Sequence, residues 1–141
     1  MTYLPDVNLW IAWTLEDHTH HHAALKWIEA AHDAIAFCRV TQMGFLRLLT
    51  NFHVMSDAVL SAPEAWRLLE RIQADDRMVF VSEPPGLEDL WRRRTLSHKT
   101  SVNFWTDAYL SAFVEVAGYT LVTFDRGFEK RKDLAVHILK Q

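Results

Sequence analysis

The chain has little of what would staple or anchor a fold from outside its core. It carries one cysteine, Cys38, so no internal disulfide is available and a reducing compartment is expected. Four glycines and four prolines exclude collagen-like and linker-type chains. No apolar run approaches the roughly 20 residues of a membrane span. The opening Met1-Thr-Tyr-Leu-Pro-Asp6 has no basic patch and no apolar stretch behind it, which argues against a secretion signal. Positive charge is short as well: 15 Lys and Arg against 18 Asp and Glu leave a net −3, so binding nucleic acid would need a local basic face. Apolar material is what the 141 residues do have, at 50% hydrophobic and 23% charged, enough for a buried core. The expectation is a single domain over 1–141, soluble and cytoplasmic.

The apolar residues come in two alternating styles. Strand-length runs enriched in β-branched and aromatic residues occur at Thr2–Pro5, Ala34–Phe37, Met78–Val81, Tyr119–Phe124 and Leu134–Leu139. Helical segments lie between them. Val7–Leu15 is short and very apolar, and Ala23–Ala31 follows a His-rich stretch. Phe45, Leu48, Leu49 and Phe52 form one helical stripe; Ala65, Leu68, Leu69 and Ile72 form another, behind a Ser61–Glu64 capping box. Leu87, Leu90 and Trp91 begin a further helix. Trp105, Ala108, Ala112, Phe113 and Val116 mark the last, which Gly118 is suited to end. This alternation predicts an α/β fold with a largely parallel sheet, where ligands bind beyond the carboxyl ends of the strands.

Three aspartates fall where that rule points. Asp6 follows the first strand and Asp125 the fourth, while Asp107 opens the helix before the fourth strand. Each has an ordinary structural role on offer: an N-cap for Asp6, a helix-dipole partner for Asp107 behind a cap at Asn103 or Thr106, an Asx turn for Asp125. Gathered at one edge they would repel one another, and a divalent cation such as Mg²⁺ or Mn²⁺ would remove that penalty and activate water for phosphodiester cleavage. Thr123, two residues before Asp125, is placed to support that acid.

Leu4-Pro-Asp6-Val-Asn8-Leu-Trp10, Thr106-Asp107-Ala-Tyr-Leu-Ser-Ala-Phe113 and Leu121-Val-Thr-Phe-Asp125-Arg-Gly-Phe128 resemble the PIN-domain ribonucleases, most of all the VapC toxins of bacterial toxin–antitoxin pairs. The likeness runs essentially the full length, including Thr41-Gln-Met-Gly-Phe-Leu-Arg-Leu-Leu-Thr-Asn51. It implies a three-layer α/β/α sandwich, Mg²⁺- or Mn²⁺-dependent endoribonuclease activity, homodimerisation, and a cognate VapB-like antitoxin covering the active site. Asp6, Asp107 and Asp125 carry over as the metal-binding acids, and Thr123 as the hydroxyl beside the last of them. One departure stands out: Gly44 occupies the position where the family usually has a glutamate. Three acids with water suffice, or Glu83 or Glu115 compensates, or activity is reduced; in the last case the chain is a catalytically weak RNA- or antitoxin-binding module.

Other residues admit a bland and a functional reading. His18, His20, His21 and His22 lack a completing cysteine or carboxylate motif for zinc, and a solvated helix start capped by Asp17 or Thr19 explains them. Arg92, Arg93 and Arg94, with His98 and Lys99, form one basic cluster; Arg126, Lys130, Arg131 and Lys132 form another. Arg92, Arg93, Arg94, Lys99 and Arg126 are the candidate RNA-backbone contacts. Trp10 is a candidate base-stacking residue with burial as the default, Trp13, Trp27 and Trp105 belong to core or dimer surface, and Cys38 reads as a buried thiol.

Overall fold

A computed structural model describes all residues except 98, 131–133 and 141. Five strands, β1 (Thr2–Pro5), β2 (Ala34–Phe37), β3 (Met78–Phe80), β4 (Thr120–Thr123) and β5 (Val136–Ile138), form one sheet in the order β3-β2-β1-β4-β5. Every pairing in it is parallel. Parallel strands need long crossovers, and helices supply them: α1 (Val7–Thr14), α2 (His21–Ala30), α3 (Arg39–Leu49), α4 (Phe52–Met55), α5 (Ala62–Gln73), α6 (Leu87–Arg94) and α7 (Phe104–Ala117).

Because side chains alternate across a strand, the apolar runs feed two cores at once. Ile35, Phe37 and Val122 face one side, packed with Leu9 and Trp10 of α1, Ile28 of α2, Phe45 of α3 and Leu69 of α5. Leu4, Ala36 and Leu121 face the other, packed with Leu87 of α6 and Leu110, Phe113 and Val114 of α7. The result is the expected α/β/α sandwich.

Element ends follow local chemistry. The Ser61–Glu64 capping box forms, with Ser61 Oγ accepting from Glu64 N–H and Glu64 Oε1 accepting from Ser61 N–H. Gly118 ends α7 in the left-handed region at φ 76°, where a Cβ would be strained. Three details differ from the sequence reading. The Phe45–Phe52 stripe is broken: α3 stops at Leu49, Asn51 caps the separate α4, and Phe52 is exposed. The second helix begins at His21, with His20 rather than Asp17 or Thr19 at its N-cap and no side-chain cap bond. Trp105, read as core or dimer surface, is 56% exposed and so lies outside the core, because the buried span of α7 runs from Ala108 to Val114.

Strand order decides where the chemistry can sit. From β1 the chain moves outward through β2 and β3, then returns to place β4 on β1's other side. The crossovers therefore leave in opposite directions at the β1/β4 boundary, and the crevice beyond the carboxyl ends of those two strands is the topological switch point.

Candidate active site

Asp6 and Asp125 are the residues just past β1 and β4 at that boundary. Pro5 pairs with Val122 in the ladder, and Asp6 N–H continues it by donating to the Val122 carbonyl at 2.8 Å. Asp6 is also the N-cap of α1, its Oδ1 accepting from Val7 N–H at 2.7 Å. Its second oxygen, Oδ2, accepts from the Thr123 hydroxyl at 3.1 Å. Thr123 is fully buried and accepts from Asp125 N–H at 3.0 Å and from Asn8 Nδ2 at 3.3 Å. One donor and two lone pairs are thus all used, and the hydroxyl acts as the junction holding both aspartate segments and α1 in register. Asp125 closes its Asx turn, Oδ1 accepting from Gly127 N–H at 2.8 Å. The structural roles foreseen for Asp6 and Asp125 are real and coexist with their convergence.

Asp107 reaches the same edge by topology. α7 ends at Ala117 and β4 begins at Thr120, so the C-terminus of α7 lies at the amino edge of the sheet. Its 14 residues, about 21 Å at 1.5 Å per residue, return its first turn to the carboxyl edge. Asp107 is half-buried in that turn, its N–H donating to the Asn103 carbonyl at 2.9 Å. Among the described residues, no three His, Cys, Asp or Glu side chains are gathered tightly enough to form a ready-made metal cluster. The pre-assembled part is the Asp6–Thr123–Asp125 junction.

The electrostatics of that junction are unfavourable as it stands. Burial pushes the Asp6 carboxyl above its ordinary range and Asp125 adds repulsion, against the opposing hydrogen bonds from Val7 N–H and the Thr123 hydroxyl. The ion pairs among the described residues are Arg77–Asp75, Arg92–Glu88 and Arg94–Glu115; none neutralises Asp6 or Asp125. Beside them the Asn8 Oδ1 acceptor is buried with no hydrogen-bond partner among the described residues. Two carboxylates without a counter-cation among the described residues, plus an amide oxygen with no partner there, are hard-oxygen donors suited to a hydrated Mg²⁺ or Mn²⁺.

Gly44 is explained by packing. A Cβ there would stand 2.9 Å from Cγ2 of Val7, the residue after Asp6, so the missing side chain lets α3 lie close against the start of α1. Of the two proposed substitutes, Glu115 is committed elsewhere, taking both hydrogen bonds of an Arg94 amino group at 2.7 and 3.0 Å, while Glu83 accepts from the Tyr109 hydroxyl at 2.7 Å through one oxygen.

The remaining candidates separate in space. Arg94 pairs with Glu115, eight residues beyond Asp107 and so about 12 Å further along α7. Arg92 pairs with Glu88 on an exposed helix face. Arg93 and Lys99 are exposed, and Arg126, also exposed, directly follows Asp125. His98, Arg131 and Lys132 lie outside the described residues. Trp10 is buried and stacks on Phe37 at 4.3 Å, which removes it as a base platform. Cys38 is a buried thiol whose pKa burial pushes up.

Two contributors escaped the sequence reading. Asn8 was legible only as part of the first motif. His20 was legible only as one of a His-rich turn, with no hint of its partner: its ring stacks on Phe124, the residue between Thr123 and Asp125, at 4.4 Å and 12°. The His-rich turn therefore braces the Asp125 segment from the α2 side, although the two lie over a hundred positions apart.

The PIN-domain family profile matches residues 3–134. The chain is 38% identical to Ribonuclease VapC41 of Mycobacterium tuberculosis over 142 aligned positions, covering 96% of this chain and 97% of that protein. Among solved structures, VapBC2 of Rickettsia felis bound to a promoter DNA fragment superposes with a TM-score of 0.69 at 12% identity, covering 99% of this chain and 100% of that one. Mycobacterium tuberculosis VapC20, described as a sarcin-ricin-loop-cleaving toxin, gives a TM-score of 0.69 at 17% identity, covering 92% and 94%. These structures share the fold; the family profile and the curated relative carry the assignment, and the chain belongs to the PIN-domain family.

Proposed function

We propose that this chain is an endoribonuclease of the VapC type, the toxin of a toxin–antitoxin pair, acting as a single domain in the cytoplasm. The observation that carries the reading is the Thr123-centred junction, which ties Asp6 to the Asp125 segment at the switch point with no cation among the described residues to neutralise them. Asp6, Asp107 and Asp125 are the residues we assign to a Mg²⁺ or Mn²⁺ ion, with Asn8 Oδ1 as a neutral acceptor beside them. Such an ion, when bound, supplies Lewis acidity toward the phosphodiester and lowers the pKa of water. Thr123 keeps its proton committed to Asp6 Oδ2, which orients that carboxylate. Partners consistent with the family are a VapB-like antitoxin and a second copy of the chain.

The test is cleavage of RNA by purified protein with Mg²⁺ or with excess EDTA, for wild type and Asp6→Asn. Asparagine still caps α1, so the helical signal should persist while cleavage falls about 10³-fold, the equivalent of roughly 4 kcal/mol of transition-state stabilisation. Undiminished activity in the variant, or in EDTA, overturns the assignment. RNA binding without turnover in wild type would select the weak binding module instead, a reading that Gly44 favours.

The same variant has a pH signature. The folded chain holds the Asp6 proton more tightly than the unfolded chain does, so stability falls as pH rises from the ordinary carboxylate range through the raised value. Metal-free Asp6→Asn should therefore melt above wild type at neutral pH and lose that advantage below the ordinary carboxylate range.

A further inference from the structure

The basic face that the net charge of −3 demands lies away from the conspicuous arginines. Between α2 and the edge strand β5 runs a groove of about 350 Å³, rimmed by His22, Lys26, His137 and Lys140 over an apolar floor that includes Trp27 and Leu139. No Asp or Glu lines it among the described residues. All four basic side chains are exposed, and none is in an ion pair among the described residues. His22 and Lys26 stand one helical turn apart on one face of α2, about 6 Å along the axis. The floor is rigid where it matters: Trp27 is half-buried and holds Tyr3 edge-on at 5.2 Å.

The groove lies beside the strand that carries the acidic edge. β5 lies directly beside β4, with His137 opposite Val122 and Ile138 opposite Thr123. Leu139 N–H donates to the Thr123 carbonyl at 2.8 Å, so the chain carrying Leu139 and Lys140 leaves the sheet beside the hydroxyl that holds Asp6. A flexible polyanion lying along α2 and β5 would arrive at Asp125 and Asp6 with its charges already matched.

We propose that this groove is the track for the phosphodiester backbone of single-stranded RNA on its way to the catalytic edge, a reading that rests on the ribonuclease assignment. Lys26 and Lys140 contact phosphates, His22 and His137 extend that contact as ring N–H donors, and the Trp27–Leu139 floor takes the apolar faces of the nucleotides. By contrast, Arg92 and Arg94 have their own carboxylates and offer the backbone less unmet charge.

The experiment measures binding of a short, fluorescently labelled single-stranded RNA to the full chain carrying Asp6→Asn, so that binding is read apart from cleavage. Adding Lys26→Glu and Lys140→Glu should weaken binding about tenfold near 0.1 M salt and flatten the log–log salt dependence by about 1.4, the value for two lost phosphate contacts on a single strand. A matched control on α5, Arg67→Glu with Arg71→Glu, near the opposite edge of the sheet and beside Glu64 and Glu70, should change affinity less than twofold. With Asp6 intact, the groove variant should raise KM and leave kcat unchanged. Binding unaffected by the groove reversal, an equal loss in the control, or a fall in kcat at constant KM would each overturn the track. If the reversal perturbs melting, the neutral pair Lys26→Gln and Lys140→Gln takes its place, with a smaller loss in the same direction expected and none overturning it. Failure of wild type to cleave RNA would defeat the ribonuclease reading, whereas these binding results speak to the groove.

Discussion

The acidic edge and the arginines of α6 look alike as sequence, two clusters of one sign, and they are opposites as structure. Arg92 and Arg94 each meet a carboxylate, Glu88 and Glu115, and so are partly neutralised within the chain. Asp6 and the Asp125 backbone meet at Thr123, with burial raising the Asp6 pKa and no cation among the described residues answering it. What marks a candidate site is the charge the fold leaves uncompensated, since perturbed and unpaired ionisable groups are concentrated where something outside the chain is bound. The groove of His22, Lys26, His137 and Lys140 passes the same test with the opposite sign.

The sharpest way to break the contrast is at the junction itself. Thr123→Val keeps the shape and removes the hydroxyl that holds Asp6, Asn8 and Asp125 N–H together. Cleavage and Mn²⁺ affinity, read by calorimetry, should fall about 10- to 100-fold, as for other groups that orient metal ligands. A change below twofold would mean the carboxylates are positioned by the backbone alone. Next comes Gly44→Glu, which reintroduces the family's acid. Because its Cβ collides with Val7, we expect about 1–3 kcal/mol of lost stability and no gain in Mn²⁺ affinity. Tighter metal binding in a protein of unchanged melting temperature would show that α3 accommodates the acid after all. The smallest effect is expected at the compensated cluster: Arg94→Ala should cost about 1 kcal/mol or less in denaturant unfolding and leave cleavage within twofold. A large loss of activity there would place α6 in the RNA path and sink the distinction drawn above.

Much of the layout is legible in the sequence. β1 and β2 occupy the runs expected of them, and the helix ends at Ser61 and Gly118 follow their caps. Local propensity and capping act within a few residues, which is why they read well. The misses share a cause. Phe52 fits the α3 stripe by spacing, but Asn51 captures the backbone N–H of His53 and starts a new turn. Trp105 fits the α7 stripe too, and is exposed because the buried span of that helix begins three residues later. Periodicity describes a face and does not say how far a neighbour covers it.

By itself the sequence determined the alternation of strand and helix, and the placing of Asp6 and Asp125 just past strand ends, because both depend on short-range patterning. Only the tertiary structure decided that β1 and β4 are neighbours. From that single adjacency follow the Thr123 hydrogen bonds, the His20–Phe124 stack, and the position of the α2–β5 groove beside β4. The physical reason is that unmet charge belongs to the three-dimensional surroundings of a group: a carboxylate 117 positions from its hydrogen-bond partner acquires its raised pKa only when the sheet closes around it.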